Sequence, residues 1–440
     1  MTPDERERLF ALLRIPSVSA LADHAPDMER AVDHLAGEIS RAGGTSEVVR
    51  NGGHPLLVGE IAAGRPEAPR VIVYGHYDVQ PVGDRQAWLS DPFEPEIRDG
   101  NLYGRGTSDD KGNLFMLIAA VQRTAAAGPM PVHVRFVIDG EEECGGESAV
   151  RFVTDDPAPA DAAVIFDAPM IGPERPMICA GLRGLVYRRV HVRTAPQDAH
   201  SGLYGGAGLN AAHALVRMLD ALVARDGVLH PDLCLGIVEP APDERAAWAH
   251  LPPGAQMLAD AALKPADSRA AAEFYRRTVA APSLEVHGIG CGEPTAVKTN
   301  LVSEATATLS LRVAPGQDAG ALAASLDRLI VGAAPAGAEV RIDALGVADP
   351  ALCDPRDPVL RAASTAIATS TGWPCVPVRS GGSIPIVATL AGRGIPTVLS
   401  GFALPDDGIH GPNEHLRVEH LEIGTRAAVA IFGAIGDLGR

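Results

Sequence analysis

Four short apolar runs of this sequence are each followed by residues of the types that bind metal ions in proteins. Those residues are His76 and Asp78, the glutamates Glu141, Glu142 and Glu143, Asp167, and, after a loop, His410. Asp109 adds another carboxylate from the glycine-rich loop 104–112. Imidazole nitrogens and carboxylate oxygens are ligands of zinc and of related divalent ions. Together these residues could hold a metal that activates water for hydrolysis.

Charge indicates how many metal ions such a set would hold. A single histidine or acid after a strand is most often an ordinary hydrogen-bonded residue, but several acids packed together without positive charge are costly. If Asp109, Glu143 and Asp167 are all ligands, one divalent ion leaves a net negative charge, whereas two divalent ions and a bridging hydroxide leave none. The sequence therefore predicts two divalent metal ions, with Zn²⁺ as the first choice and Mn²⁺ or Co²⁺ as substitutes.

The alternation of apolar runs with helical stretches predicts the elements that must position these residues. The runs are 71–74, 132–138, 162–166 and 397–399, and the segment 113–127 has the length and composition of a helix. This pattern predicts an α/β fold with a mainly parallel sheet flanked by helices. Ligands of such sheets bind beyond the carboxyl ends of the strands, so the four clusters should meet at one edge.

The pattern changes between residues 185 and 348. Predicted strands cover 186–192, 283–288, 305–313 and 339–345, and predicted helices cover 210–223 and 319–331. The segment 240–281, rich in alanine, proline and charge, indicates a helical excursion. We therefore predict an α+β domain at 185–348, inserted into a domain formed by 1–184 and 349–440.

Composition excludes several classes of partner. The chain has 440 residues, with 38 basic and 55 acidic side chains and a net charge of −17, which repels nucleic-acid phosphates and anionic membranes. No 18-residue apolar run occurs, and the acidic N-terminal segment is unlike a signal peptide. The six cysteines have no paired spacing, which is typical of reduced thiols. We expect no nucleic-acid or membrane partner and a cytoplasmic location.

Six motifs together resemble the di-metal aminoacylase and carnosine-dipeptidase superfamily of metallopeptidases, and the resemblance spans nearly the whole chain. This superfamily includes glutamate carboxypeptidases and succinyl-diaminopimelate desuccinylases. The motifs are GHYDVQP at 75–81, LYGRGTSDDKG at 102–112, EECGG at 142–146, DAHSG at 198–202, GGSIP at 381–385 and IHGPNE at 409–414.

The resemblance implies a role for each residue of the predicted metal site. One metal ion would be bound by His76, Asp109 and Asp167, and the other by Asp109, Glu143 and His410, with Asp109 bridging. Asp78 would orient His76 through its second ring nitrogen. Glu142 would be the general base, provided that the last two glutamates of 139–143 match the family's acid-Gly-x-Glu-Glu pattern.

Four further residues, three of them in the predicted inserted domain, are similar to functional positions of the family. In dimeric relatives a histidine at the place of His200 reaches the partner subunit's site and stabilises the oxyanion. The implied substrate-binding residues are Thr299, Arg312 and Ser383. His200 could instead be a structural turn residue, and Arg312 could instead pair with a nearby acid such as Asp318 or Glu304.

The leading hypothesis is a homodimeric hydrolase that cleaves the amide bond of dipeptides or related small amides with a free carboxylate, with the inserted domain as lid and dimerisation domain. An N-acyl amino acid deacylase or desuccinylase is the alternative within the family, although the 75–81 and 381–385 motifs and the segment 240–281 favour the dipeptidase branch. A two-metal phosphoesterase would need several cations near the metals, where the motif loops offer only Arg105 and Lys111. A non-catalytic peptide-binding protein would have no need of Glu142.

Overall fold

The chain divides into two units in the computed structural model, which describes residues 1–293, 295 and 297–439. The first unit comprises Met1–Ala180, Cys353–Val378 and Ile384–Arg440, and the second comprises Gly181–Leu352 and Arg379–Ser383. These boundaries differ by a few residues from the predicted domains 1–184, 185–348 and 349–440, and the short segment 379–383 belongs to the second unit. Among the described residues, none of the helices combines the length and the apolar character that crossing a membrane requires.

Helices and strands are mixed along the described chain. The helices are α1 (Pro3–Leu13), α2 (Ala25–Arg41), α3 (Lys111–Ala127), α4 (Glu147–Asp155), α5 (Ser201–Tyr204), α6 (Ala211–Leu222), α7 (Pro242–Ala247), α8 (Gly254–Asp260), α9 (Ala319–Gly332), α10 (Pro358–Thr371), α11 (Pro385–Gly392) and α12 (Val418–Leu438). The strands are β1 (Thr45–Val49), β2 (Leu56–Ile61), β3 (Arg70–His76), β4 (Glu96–Arg98), β5 (Asn101–Tyr103), β6 (His133–Asp139), β7 (Ala162–Phe166), β8 (Met177–Leu182), β9 (Gly184–Arg193), β10 (Ala199–His200), β11 (Ser283–Cys291), β12 (Asn300–Leu301), β13 (Glu304–Val313), β14 (Glu339–Ala348), β15 (Ala351–Leu352), β16 (Val376–Ser380), β17 (Thr397–Ser400) and β18 (His415–Arg417).

A mainly parallel sheet forms the centre of the first unit. Its strand order is β1-β2-β6-β3-β7-β17, and the pairs β6–β3, β3–β7 and β7–β17 are parallel. The residues of β7 are all buried, as expected for a parallel strand covered on both faces, which is why its sequence is a continuous apolar run. The predicted α/β class is confirmed. The antiparallel strands β1 and β2 extend the sheet beyond the four runs seen in the sequence.

The second unit contains an antiparallel sheet with the strand order β11-β13-β9-β14. Helices α6 and α9 bury their apolar residues against one face of this sheet, together with alternate residues of β13 such as Leu309 and Leu311. The intervening residues of β13, including Arg312, therefore lie on the opposite face. The segment 240–281 contains α7, α8 and a short π-helix at Arg276–Ala280, so it is partly helical, as predicted.

A close backbone contact at the start of α3 offers a test of this fold. A Cβ atom placed on Gly112 would lie 1.9 Å from the carbonyl oxygen of Thr107, in the loop that carries Asp109. We expect Gly112→Ala to lower the free energy of unfolding by about 2 kcal/mol or more, because the loop must move. Urea denaturation measures the change.

Gly37, in the middle of α2, is the matched control because a Cβ atom there would have no neighbour within 4 Å. Gly37→Ala should raise the free energy of unfolding by up to about 1 kcal/mol through helix propensity. Similar effects of the two substitutions would contradict the described packing of the loop.

Candidate metal centre

The parallel strands of the first unit place the predicted metal ligands together. His76 is the last residue of β3, Asp167 follows β7, and Glu143 lies just beyond β6. The structure brings five residues into two groups, and within each group the ligand atoms lie within 4.8 Å of one another. The groups are His76, Asp109 and Asp167, and Asp109, Glu143 and His410.

The Asp109 carboxylate is shared by the two groups. Its Oδ1 atom lies 2.9 Å from Nε2 of His76, and its Oδ2 atom lies 2.8 Å from Nε2 of His410. Each oxygen thus faces a different histidine. Two ligand groups that share one carboxylate in this way could hold two metal ions with Asp109 between them.

The orientation of the His76 ring is determined by Asp78. The Nδ1 atom of His76 lies 3.1 Å from the backbone oxygen of Asp78 and 3.2 Å from its Oδ1 atom. Both side chains are fully buried. Contacts on Nδ1 leave Nε2 directed at Asp109, as expected for an outer residue that orients a metal-binding histidine.

Glu143 has one oxygen engaged and one available. Its Oε2 atom accepts a hydrogen bond of 2.8 Å from Nε2 of Gln80 and lies 3.3 Å from Nε2 of His410. Its Oε1 atom is buried and has no hydrogen-bond partner among the described residues. A buried carboxylate oxygen without a partner is costly, and a metal ion would satisfy it. Gln80 stands in the 75–81 motif, but the sequence alone assigned it no role.

The loop that carries Asp109 is held by a second buried carboxylate, Glu414. Oε1 of Glu414 accepts hydrogen bonds from the backbone N–H groups of Ser108 and Asp109 at 2.9 and 3.1 Å. Its Oε2 atom accepts from the N–H of Gly106 at 3.0 Å and from Arg105 at 2.6 Å. Sequence reasoning missed this function, although Glu414 closes the 409–414 motif.

His410 occupies an unusual backbone conformation. Its φ angle is +62°, in the left-handed region that residues other than glycine seldom adopt. The residue lies in the loop after β17, and its ring reaches Asp109 and Glu143. Strained conformations of this kind concentrate at functional sites, where the surrounding structure maintains them.

Negative charge dominates the two ligand groups. Burial, reinforced by the neighbouring Asp110, raises the pKa of Asp167 well above its usual range. Hydrogen bonds that His410 donates to the carboxylates of Asp109 and Glu143 raise its pKa to about 10. Burial also raises the pKa of Glu142 to about 7. These acids and imidazoles form a nitrogen and oxygen donor set without cysteine, which fits Zn²⁺, Mn²⁺ or Co²⁺.

The two basic residues of the 102–112 motif, Arg105 and Lys111, form their hydrogen bonds with groups other than the candidate metal ligands. Arg105 is buried and forms an ion pair of 2.6 Å with Glu414. Lys111 is also buried, and its Nζ atom donates to the backbone oxygens of Leu12 and Ile15 at 3.2 and 2.6 Å. Burial lowers the pKa of Lys111 to about 7.

The remaining predicted residues lie in the second unit, in two clusters. In one, His200 ends β10, which pairs with β12, and the carbonyl oxygen of Thr299 accepts a hydrogen bond from the N–H of Ser201 at 2.9 Å. In the other, Nη1 of Arg312 donates to Oγ of Ser383 at 3.1 Å.

Neither acid considered as a structural partner of Arg312 is paired with it. Glu304 lies 3.6 Å from Arg193, and Asp318 accepts a hydrogen bond from the N–H of Ala321 at the start of α9. Within the described part of the chain, the one side-chain hydrogen bond of Arg312 goes to Ser383. Among the described residues, neither Asp318 nor Glu304 therefore forms an ion pair with Arg312.

Comparisons with known proteins identify the family of the chain. The model of peptidase family M20/M25/M40 matches residues 72–433. The cysteinylglycine-S-conjugate dipeptidase of Corynebacterium striatum is 30% identical, over 98% of this chain and 97% of its own length. The structure of human carnosine dipeptidase 1 has a TM-score of 0.78 at 26% identity and covers 99% of this chain and 97% of its own.

The dipeptidase Dug1p of Saccharomyces cerevisiae shares the fold, with a TM-score of 0.80 at 24% identity over 99% of this chain and 96% of its own. The family model and the bacterial relative each span most of the sequence, including the segments that carry both ligand groups. The chain therefore belongs to peptidase family M20/M25/M40, and it is an enzyme of the dipeptidase branch of that family.

Proposed function

We propose that this chain is a dipeptidase that uses two divalent metal ions to cleave the amide bond of dipeptides or related small amides with a free carboxylate. The Asp109 carboxylate carries the proposal, because its two oxygens face the histidines of two separate ligand groups. Full-length similarity to a dipeptidase supports the substrate class.

His76, Asp109 and Asp167 would hold one ion, and Asp109, Glu143 and His410 the other. Zn²⁺ is the first choice, with Mn²⁺ or Co²⁺ as substitutes. When bound, two such ions supply Lewis-acid polarisation of the scissile carbonyl and a water of lowered pKa. Asp78 keeps Nε2 of His76 directed at the site.

Glu142 is the general base of the proposed reaction. It takes a proton from the attacking water and delivers it to the leaving amine as the C–N bond breaks. Its position beside Glu143, at the edge where β6 ends, supports this role. A protein that only bound peptides would have no use for a base there.

The second unit supplies the groups that recognise the substrate. Arg312 and Ser383 form a donor pair suited to a carboxylate, and Thr299 lies in the segment next to His200. We propose that His200 stabilises the oxyanion in the site of a partner subunit, so that the enzyme works as a homodimer with the inserted domain as its lid and dimerisation domain.

The two alternatives make different demands on the protein. A phosphoesterase needs cations at the metal site, and the engagement of Arg105 and Lys111 elsewhere argues against it. A deacylase or desuccinylase would use the same metal groups on other substrates. A panel of cysteinylglycine, carnosine, acyl amino acids and succinyl amines, assayed by released primary amine with metal-loaded protein, separates these activities.

Glu142→Gln should separate the base from the metal ligands. We expect this variant to keep about two metal ions per chain and to lose at least ~10²-fold in turnover, because only proton transfer is affected. Asp109→Ala should lose both ions, since it removes the shared ligand. Metal analysis and amine release measure both effects. Metal loss in Glu142→Gln with retention in Glu143→Gln would show that the roles are shifted by one residue.

Mixing two inactive variants tests the proposed role of His200. Subunits carrying His200→Ala and subunits carrying Glu142→Gln should recover activity after exchange, because one site of each mixed dimer then has both groups intact. Subunit exchange is verified by mass, and amine release measures the recovery. Exchange without recovery would refute action across the dimer.

Arg312→Lys tests recognition of the carboxylate. We expect kcat/KM for a free dipeptide to fall by about 30-fold, because lysine cannot form the planar two-point pair with a carboxylate. The C-terminal amide of the same dipeptide, already a poor substrate, should change little. Equal losses for both compounds with a lower melting temperature would instead indicate a structural arginine.

A further inference from the structure

Arg183 is a buried arginine of the second unit, in the connection between β8 and β9. Its side chain is 9% exposed. Its guanidinium group donates hydrogen bonds of 3.1 to 3.5 Å to four acceptors: the backbone oxygens of Arg277, Ala281 and Gly381, and Oγ of Ser283. All four acceptors are uncharged. Within the described part of the chain, no carboxylate forms an ion pair with Arg183.

Two serines, Ser283 and Ser383, link Arg183 to Arg312. Ser283, which accepts from Arg183, lies directly opposite Arg312 in the pairing of β11 with β13. The hydroxyl of Ser383 donates to the backbone oxygen of Arg183 at 2.5 Å and accepts from Nη1 of Arg312 at 3.1 Å. The backbone oxygen of Arg183 thus orients the Ser383 hydroxyl, while the guanidinium group contacts Gly381, two residues before Ser383, and Ser283, opposite Arg312.

The segment 381–383 is packed tightly against Arg183. Nε of Arg183 donates to the backbone oxygen of Gly381 at 3.2 Å. A Cβ atom on Gly381 would lie 2.6 Å from the backbone oxygen of Thr278 and 3.2 Å from Nη2 of Arg183. The close fit explains why glycine stands at this position and shows that Ser383 is held on a constrained segment.

Neither arginine of this cluster forms an ion pair with a carboxylate among the described residues. Burial and the nearby charge of Arg312 together lower the pKa of Arg183 to about 10, although Glu285 partly opposes them. Two guanidinium groups close together at a partly buried place favour an anion as the missing partner.

We propose that Arg183 is a positioning residue for a carboxylate subsite formed by Arg312 and Ser383. Its backbone oxygen and guanidinium group orient Ser383 and the segment 381–383, and its charge adds to that of Arg312. The ligand is a planar carboxylate, such as the C-terminal carboxylate of a dipeptide. This inference rests on the proposed function, in which Arg312 receives the free carboxylate of the substrate.

Kinetics of Arg183→Lys on a free dipeptide and on its C-terminal amide test the inference. Lysine keeps the charge but cannot reproduce the fork of donors that holds Gly381 and Ser283. We expect kcat/KM for the free dipeptide to fall about tenfold, mainly through KM, and that for the amide to change less than twofold. A double variant with Arg312→Lys should be no worse than Arg312→Lys alone, because Arg183 acts through that residue.

Arg379→Lys is the matched control. Arg379 is another buried arginine of the second unit, 6% exposed, but it forms an ion pair of 2.7 Å with Glu244. Its substitution should affect the two substrates equally.

Ser283→Ala is a milder test that retains Arg183, and we expect it to lower kcat/KM about threefold for the free dipeptide alone. This second variant decides the question if Arg183→Lys does not fold.

Binding experiments separate this inference from the proposed function. In the Glu142→Gln background, calorimetry of metal-loaded protein with N-acetylglycine and N-acetylglycinamide measures carboxylate recognition without turnover. If Arg183→Lys no longer prefers the carboxylate ligand over the amide, the inference is supported. If the wild-type chain cleaves no dipeptide, that result refutes only the proposed function. An unchanged preference, or equal kinetic losses for dipeptide and amide, would overturn the inference.

Discussion

The carboxylate of Asp109 lies between two histidines, and its loop is held by a second carboxylate, Glu414, that accepts hydrogen bonds from the loop's own N–H groups. A buried acid is tolerable only where donors or cations surround it. The neighbouring features follow from this requirement. Arg105 neutralises Glu414, and Gly112 allows the helix that follows to begin against the loop without a steric clash.

Each unit contains one local cluster of charge without a partner of opposite sign, and the two clusters differ in sign. Acids exceed cations at the edge of the parallel sheet in the first unit, and the second unit holds Arg183 and Arg312 without an acidic partner among the described residues. In each cluster, binding of a group of opposite charge would lower the electrostatic free energy of the protein. A divalent cation would be that group in the first unit, and a carboxylate in the second.

Much of the fold could be predicted because its strongest signals are local. Strands buried on both faces are continuous apolar runs, so β3, β6, β7 and β17 are visible in the sequence, and the rule that ligands lie beyond parallel strands brings their following residues together. Strand β1 carries no such signal, because most of its residues are exposed.

Contacts between distant parts of the chain could not be predicted in this way. Nothing in the local pattern shows that Glu414 accepts from the loop around Asp109, that Gln80 contacts Glu143, or that residues 379–383 belong with the second unit. Such contacts depend on how elements pack after they form. The motifs containing Gln80 and Glu414 marked these residues as notable but did not define their partners.

The hydrogen bonds from the Asp109 loop to Glu414 can form only late in the synthesis of the chain. Synthesis proceeds from the N-terminus, so the loop with Asp109 leaves the ribosome some three hundred residues before Glu414 and His410 do. Until then the loop lacks both its buried anchor and one histidine of the second ligand group. A chain that ends before residue 410 therefore contains most of the acids of the candidate site but lacks His410 and the Glu414 carboxylate that holds the Asp109 loop.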